Sequence, residues 1–454
     1  MCAWQTFRIM RSGIPAFNFL PRIFGRPKRK GAGSKEKRKK RPERTVSEHA
    51  EGMIQVFIAG GGIGGTYTAL NLIREGVDPH GITVVADEWP PYSRHRLPEA
   101  LKCGYLGGLE LGVAKELMDA GVNVVSPARV VSIDPVSREV TIQYVGKGEE
   151  EVSYDCLVVA TGGKPFIPPI PGTRLKGVTT FYRLNDVRRL LALRRGDSAV
   201  VVGGGLVGVA AAISLRRMGL RVALIELKRS LLPQVIDPPL SEPLRKYLTS
   251  VEGIKLFLNS KVKRLLGSGH VTAVLTDSGA VSANAVVFAT GVRPNSELLL
   301  RAGASNVRGA ITVDGWGRTS LAGVYALGDC ALSKDYVTGR MTYRPLGFVA
   351  AHYAKYVARA IAGTARGEGT AGVIPTIYER LGEVRVYRLG LSASEARSLG
   401  LSNAEAVIVR SGNDVWEAKV VVDGRVVGWE LVTVGHKHVI PTASYIDEIL
   451  ATKA

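Results

Sequence analysis

Two glycine-rich segments with the same spacing carry the clearest chemical signal in this sequence of 454 residues. Both have the pattern GxGxxG, formed by Gly60, Gly62 and Gly65 in the first segment and by Gly203, Gly205 and Gly208 in the second. In this pattern the first glycine permits a tight turn, and the second lets a pyrophosphate approach the backbone and the positive end of a helix. The third lets the helix pack closely on a strand. The spacing therefore predicts two dinucleotide-binding sites.

An acidic residue follows each glycine-rich segment at a similar distance. Asp87 lies 22 residues past Gly65, and Glu226 lies 18 residues past Gly208. A carboxylate in this position can accept hydrogen bonds from the ribose of a bound dinucleotide. The alternative, two glycine-rich turns that bind nothing, is disfavoured because both segments have every part of the pattern.

The elements that must position these residues also occur twice. Apolar runs predict buried strands at 54–59 and 82–86 in the first unit and at 199–202 and 221–225 in the second. Helical patterns follow the glycines and run through Leu72 and Met218. Each unit closes on a further strand and an Ala-Thr-Gly turn, which adds Thr161 and Gly162 to the first site and Gly291 to the second. The repetition predicts an α/β fold with two Rossmann-like dinucleotide-binding domains.

These motifs resemble those of the flavoprotein pyridine nucleotide oxidoreductases with two dinucleotide-binding domains, over about residues 53–435. The most specific part of the resemblance is the segment 319–329, TSLAGVYALGD. In that family the equivalent aspartate hydrogen-bonds the ribityl chain of FAD. The resemblance gives this role to Asp329, with Gly328 beside it, and implies that the first unit binds FAD and the second binds NAD(P)H.

The resemblance also implies how the domains are arranged along the chain. The FAD-binding domain is discontinuous and consists of residues 53–165 and 292–370. The NAD(P)-binding domain, residues 166–291, is inserted into it, and a C-terminal α+β interface domain follows at 371–454. The two crossings are the segments 165–172 (PFIPPIPG) and 291–295 (GVRPN). The C-terminal domain implies a homodimer.

The C-terminal segment has its own local signals. Short strands are predicted at 383–389 and 406–409, and alternating runs on either side of Asp423-Gly424 predict a β-hairpin. Ser392 precedes Glu395 at the spacing of a capping box, which predicts the start of a helix.

The segment 91–99, PYSRHRLPE, bears on which branch of the family the chain resembles. In the disulfide-reductase and coenzyme A disulfide reductase branches a cysteine lies here, and alignment on the Leu-Pro pair places His95 at that position. The segment is instead similar to the PYxRxxL segment of rubredoxin, ferredoxin and nitrite reductase flavoproteins. In those proteins the arginine helps to hold FAD, so the resemblance assigns Arg94. The C-terminal domain looks more like the coenzyme A disulfide reductase and NADH oxidase branch.

The sequence leaves the catalytic residue open between two candidates. His95 could donate a proton near the flavin, although a surface or FAD-contacting role is the favoured interpretation. Cys103 could act as a thiol, but it lies eight residues after His95, roughly 12 Å along a helix. We therefore predict hydride transfer from NAD(P)H to FAD and onward transfer without a cysteine relay. The predicted acceptor is an electron-carrier protein, oxygen, a quinone or a small oxidant.

Alternatives remain for the activity and for the nucleotide. One is a thiol-dependent coenzyme A disulfide or polysulfide reductase that uses Cys103. Another is a flavin-bearing redox sensor with a nucleic-acid-binding arm. Glu226 should repel a 2′-phosphate and so favours NADH, while Lys228 and Arg229 next to it keep NADPH as an alternative.

The charge of the chain is uneven. The net charge is +20, and residues 1–52 hold 14 basic against 4 acidic residues, whereas the remainder holds 46 against 36. Residues 26–44 have almost no apolar side chains, and we predict a basic, disordered arm at 1–52. The arm could bind nucleic acid or an anionic membrane surface, or be absent from the native protein, which is the favoured interpretation because Met53 opens the first strand. Four scattered cysteines without a CxxC pair predict no metal site and, with no secretory signal, favour a cytoplasmic protein.

Overall fold

A computed structural model describes residues 53–412, 414–435 and 443–451, so the predicted arm at 1–52 lies outside the described residues. The described residues form ten α-helices: α1 (Ile63–Arg74), α2 (Leu97–Cys103), α3 (Val113–Ala120), α4 (Leu184–Leu191), α5 (Leu206–Arg217), α6 (Glu242–Lys246), α7 (Glu297–Arg301), α8 (Gly347–Ile361), α9 (Ala393–Ser398) and α10 (Ala443–Leu450). Shorter helical turns lie at Pro79–Gly81, Arg94–Arg96, Pro238–Ser241, Tyr247–Val251 and Gly328–Cys330. None of the helices in these ranges is long and apolar enough to cross a membrane.

The first glycine-rich segment follows the middle strand of a five-stranded parallel sheet. Its strands are β1 (Val56–Ala59), β2 (Ile82–Val85), β3 (Asn123–Val125), β7 (Cys156–Val159) and β20 (Val324–Ala326), in the order β20-β7-β1-β2-β3. All four residues of β1 are buried, as expected for a parallel strand that helices cover on both sides. The chain leaves β1 toward β2 on one side and later adds β7 on the other. Ligands bind at such a switch point, outside the carboxyl ends of the strands.

A second parallel sheet repeats this arrangement around the second glycine-rich segment. Its strands are β9 (Val178–Thr180), β10 (Ser198–Val202), β11 (Arg221–Ile225), β12 (Lys255–Phe257) and β16 (Ala285–Phe288), in the order β12-β11-β10-β16-β9. The middle strand β10 is again fully buried. The two parallel sheets confirm the predicted α/β fold with two Rossmann-like units.

Small antiparallel sheets accompany the two parallel ones. They contain β4 (Ala128–Asp134), β5 (Glu139–Tyr144) and β6 (Gly148–Ser153), then β13 (Val262–Ser268), β14 (His270–Thr276) and β15 (Gly279–Ser282), and the pairs β8 (Gly163–Pro165) with β17 (Val292–Pro294), β18 (Asn306–Val307) with β19 (Ala310–Ile311), and β21 (Ser333–Lys334) with β22 (Met341–Thr342). The pair β8–β17 connects residues 163–165, where the first predicted crossing begins, with the second predicted crossing at 291–295. The domain boundaries themselves stay a prediction.

The C-terminal segment forms an antiparallel sheet that contains the predicted strands and the predicted hairpin. Its strands are β23 (Thr376–Leu381), β24 (Val384–Gly390), β25 (Glu405–Gly412), β26 (Val415–Val422) and β27 (Arg425–Val434), in the order β23-β24-β27-β26-β25. The hairpin turn lies at Asp423 and Gly424, which both have positive φ. The Ser392 side chain accepts a hydrogen bond from the Glu395 backbone N–H, so the predicted cap is present. The reciprocal half of a capping box is not, because the Glu395 carboxylate binds Arg344 and Arg388 instead.

Candidate functional site

At four of the six motif glycines, the backbone conformation or the packing of the chain leaves room only for glycine. Gly60 and Gly203 have φ angles of 121° and 113°, which side-chain-bearing residues rarely adopt. Gly65 and Gly208 have no room for a side chain, because a Cβ atom would overlap the carbonyl oxygens of Gly60 and Gly203. These contacts fix the turn at the end of each middle strand and hold the following helix against it.

At the other two motif glycines, no neighbouring atom of the chain would prevent a larger side chain. Gly62 and Gly205 are the N-caps of α1 and α5, with ordinary φ angles of −79° and −75°. A Cβ atom on either residue would meet nothing within 4 Å. No side chain of the described residues caps either helix. Both helices therefore begin with uncapped N–H groups that face open space, an arrangement that fits a pyrophosphate group.

Glu226, at the end of β11, is buried and held in place by the backbone. Its two carboxylate oxygens accept hydrogen bonds from the N–H groups of Gly204, at 2.5 Å, and Lys228, at 2.7 Å. The residue is only 8% exposed. The acid is thus fixed directly beside the second glycine-rich turn, as its spacing predicted, and a carboxylate retains further acceptor sites for a ligand hydroxyl.

Asp87 follows β2 and has side-chain partners that the sequence did not indicate. Its carboxylate accepts hydrogen bonds from Arg183, at 2.9 Å, and Arg129, at 3.3 Å. Burial alone would raise the pKa of Asp87, but the two guanidinium groups outweigh it and hold the pKa below its ordinary value. The carboxylate is therefore ionised at neutral pH.

Asp329 lies in the short turn that follows β20, close to the Ala-Thr-Gly turn of the first unit. Burial raises the pKa of this carboxyl to about 6, while the charge of Arg94 opposes the rise. The Arg94 guanidinium lies over the ring of Tyr182, 4.1 Å from its centroid, and donates to the tyrosine hydroxyl at 2.5 Å. The Tyr182 hydroxyl in turn donates to the Gly163 carbonyl at 2.7 Å. The structure therefore brings the two FAD residues implied by the resemblance to one place.

Tyr343 is a polar residue of this region that sequence reasoning missed. Its hydroxyl is buried and has no hydrogen-bond partner within the described part of the chain. Burial raises the pKa of Tyr343, and the nearby charge of Asp329 raises it further. A buried hydroxyl without a partner is uncommon in proteins and fits a site that a polar ligand completes. No motif or spacing in the sequence marks this tyrosine or Tyr182.

The Ala-Thr-Gly turns are tied to the paired segments β8 and β17. The Thr161 hydroxyl donates to the Asn295 carbonyl at 2.6 Å, and the Asn295 N–H donates to Gly162, whose φ is +70°. Gly291 has a φ of +98°, and its carbonyl accepts from the Phe166 N–H at 2.9 Å. The turns beside the two glycine-rich segments are thereby linked to each other.

Burial disfavours the thiolate form in two of the three described cysteines, Cys156 and Cys330. Cys330 is buried, its thiol contacts the carbonyl oxygens of Val159 and Leu327 at 3.4 and 3.3 Å, and burial raises its pKa to about 11. Burial also raises the pKa of Cys156. Cys103 is exposed and is the last residue of α2. None of the three is in a disulfide, and Cys2 lies outside the described residues.

The other catalytic candidate, His95, lies in the turn Arg94–Arg96 directly before α2. Its Nδ1 atom is 3.0 Å from a carboxylate oxygen of Glu379 in β23. The structure therefore places a histidine paired with an acid beside Arg94.

Two parallel sheets, each with an open glycine-rich helix start and an acid beside it, define a protein that binds two dinucleotides. Residues 54–354 match the family model described as pyridine nucleotide-disulphide oxidoreductase, and the chain belongs to this family. It is accordingly an FAD-dependent NAD(P)H oxidoreductase, and its cofactors are FAD and NADH or NADPH.

Proteins similar to this chain have several different acceptors in their names. An NADH oxidase of Methanocaldococcus jannaschii is 29% identical over 398 residues, which cover 84% of this chain and 87% of the relative. A structure of an NAD-dependent persulfide reductase from A. fulgidus has a TM-score of 0.78 at 26% identity and covers 88% of this chain and 77% of that one. A ferredoxin reductase of the CYP199A2 system from Rhodopseudomonas palustris has a TM-score of 0.73 at 26% identity, with 83% and 91% coverage. These similarities leave the acceptor open.

Proposed function

We propose that the chain oxidises NADH and delivers the electrons directly to an acceptor, without a cysteine relay. The proposal rests on which side chains the turn Arg94–Arg96 carries. The turn holds His95, paired with Glu379, and no thiol. A buried thiol with a raised pKa, such as that of Cys330, stays protonated at neutral pH and is a poor nucleophile.

The residues of the first unit are suited to hold FAD in a fixed orientation. In this proposal the open start of α1 at Gly62 takes the pyrophosphate, and Asp87 takes the adenosine ribose. Asp329 and Arg94 face the ribityl chain and the flavin ring, and the Tyr343 hydroxyl gains its missing partner there. FAD, when bound, supplies the chemistry by accepting hydride from the nicotinamide and releasing electrons to the acceptor.

The second unit is suited to NADH. Gly205 at the start of α5 takes the pyrophosphate, and the buried charge of Glu226 accepts hydrogen bonds from the adenosine ribose and repels a 2′-phosphate. Lys228 and Arg229 follow in exposed positions, which leaves NADPH as the weaker alternative. We also propose a homodimer formed by the C-terminal sheet, and a small electron-carrier protein among the acceptors.

A thiol relay through Cys103 is the second candidate function. Two observations favour it: Cys103 is exposed, and a persulfide reductase is among the similar structures. Its position opposes it, because α2 separates Cys103 from the turn that holds Arg94, by about 9 Å at 1.5 Å per residue.

Replacement of Cys103 by serine distinguishes the two candidates. We expect Cys103→Ser to keep kcat with NADH within about twofold of the parent, because no electrons pass through the thiol. The measurement is anaerobic turnover with p-benzoquinone and with a disulfide acceptor, since a thiol relay acts on the disulfide whereas a quinone can take electrons from the flavin directly. Lys102→Ala, an exposed neighbour on the same helix, is the matched control. A loss of tenfold or more in Cys103→Ser, with normal flavin content and an active control, would contradict the proposal.

A further inference from the structure

His95 and Glu379 form an ion pair between two distant parts of the chain. The Nδ1 atom of His95 lies 3.0 Å from a carboxylate oxygen of Glu379, in the first strand of the C-terminal sheet. The side chain of Glu379 is 16% exposed, whereas that of His95 is 59% exposed. The carboxylate therefore fixes one ring nitrogen of the histidine and leaves the other, Nε2, for a molecule that arrives from solvent.

Two hydrogen bonds hold the turn that carries His95 at the edge of the proposed flavin site. The Arg96 N–H donates to the Ser93 carbonyl at 3.0 Å, and the Arg96 side chain donates to the Gly108 carbonyl at 2.6 Å. The preceding residue, Arg94, lies over Tyr182, and its charge acts on Asp329. His95 is thus adjacent to the cluster of Arg94, Tyr182 and Asp329 and remains open to solvent.

The charges around His95 favour its protonated form. The hydrogen bond from His95 to Glu379, in the strand β23, is the main cause of the raised pKa of His95. Burial acts in the opposite direction. From its own segment, Glu99 raises the pKa of His95 further and Arg96 lowers it. The ring therefore keeps its proton to a higher pH than an unpaired imidazole would, and it can give this proton away.

We propose that His95, held by Glu379, is the general acid that protonates the electron acceptor. This proposal rests on the proposed function and adds a substrate class to it: small acceptors that take up two electrons together with protons, such as quinones. An acceptor that takes up one electron and no proton gains nothing from an acid at this position.

The proton balance of the step can be written in full. A quinone takes up two electrons and two protons, and each of its two carbonyl oxygens becomes a hydroxyl. The two electrons and one proton come from NADH as a hydride equivalent, and the second proton comes from His95. The imidazole then regains a proton from solvent, and NADH, one proton and the quinone give NAD⁺ and the hydroquinone.

The test compares two artificial acceptors in the same protein. Ferricyanide takes up one electron without a proton, whereas p-benzoquinone takes up two electrons and two protons. For His95→Gln we expect the ratio of p-benzoquinone to ferricyanide turnover to fall about 10²-fold, the lower range for loss of a general acid. Bound FAD and the rate of flavin bleaching by NADH serve as further readouts, and we expect both to match the parent.

The pH profile supplies a second, independent readout. With p-benzoquinone the parent should lose activity as the pH rises through the raised pKa of His95, because the acid form disappears. Glu379→Gln should move this descending limb to lower pH, and His95→Gln should abolish it. Glu99→Gln is the matched control. It removes a charge on the exposed face of α2 that raises the pKa of His95 less than Glu379 does, so it should move the descending limb only slightly.

Two results would overturn the proposal. An equal loss with both acceptors in His95→Gln would show that the histidine only maintains the structure of the site. Unchanged turnover with both would show that it is a surface residue. Neither result bears on the cysteine relay, which Cys103→Ser tests separately.

Discussion

Replacement of Gly62 by alanine should abolish stable FAD binding in a protein that still folds. The backbone at Gly62 is in an ordinary region of φ and ψ, and the added methyl group would contact no atom of the chain. It would, however, occupy the open space at the start of α1 where the proposed pyrophosphate approaches. We expect FAD affinity to fall by at least about 10²-fold, or roughly 3 kcal/mol. The measurements are the flavin-to-protein absorbance ratio and a reconstitution titration.

Two other glycines provide matched controls for this result. Gly65→Ala places the same methyl group against the Gly60 carbonyl, so it should lower the yield of folded protein as well as FAD binding. Gly205→Ala should keep FAD and lose NADH, because it changes only the second site. If Gly62→Ala retained FAD as tightly as the parent, the first glycine-rich turn would not be the pyrophosphate site.

Replacement of Glu226 by alanine should raise the KM for NADH by tenfold or more and narrow the preference for NADH over NADPH. The change removes the acid that is proposed to bind the ribose and the negative charge that is proposed to repel a 2′-phosphate. It also leaves the N–H groups of Gly204 and Lys228 without their acceptor, at a cost of about 1–3 kcal/mol for the buried group of Gly204 and less for that of the exposed Lys228. The measurement is the ratio of kcat/KM for the two nucleotides.

Glu226→Gln separates the two effects of this substitution. The amide keeps the size of the side chain and one acceptor oxygen, so the turn should be less disturbed than in Glu226→Ala. It removes the charge, so the preference for NADH should narrow to a similar extent. An unchanged ratio of the two efficiencies in both variants would remove Glu226 from the nucleotide site.

The parts of the fold that sequence reasoning predicted depend on local rules. The strand 221–225 and the hairpin at Asp423-Gly424 follow from apolar periodicity and turn chemistry. The requirement for glycine at 60 follows from a backbone angle that the motif encodes. Such features need only neighbouring residues, so one sequence is sufficient to indicate them.

The parts that it missed depend on contacts between distant residues. Tyr182 and Tyr343 reach the region of Asp329 only because the sheets and their connections bring them there. Arg183 reaches Asp87 in the same way. The Glu395 carboxylate gave a local signal for a capping box, but two buried arginines outcompete the helix N-terminus for it. No spacing rule contains this information.

The proposed direct transfer depends most on His95, which lies at the position that the resemblance gives to a cysteine. Alignment on Leu97 and Pro98 placed His95 there, and the structure adds its partner Glu379. A thiol at that position would share electrons with the flavin, whereas an imidazole can only exchange protons. The stoichiometry of reduction therefore distinguishes the two kinds of site.

The most direct test is an anaerobic titration of the purified protein with NADH, followed in the visible spectrum of the flavin. We predict that one equivalent of NADH bleaches the flavin fully and that no long-wavelength band appears, because no cysteine shares the electrons. A requirement for about two equivalents, with a thiolate–flavin charge-transfer band, would contradict direct transfer and would identify a redox-active cysteine.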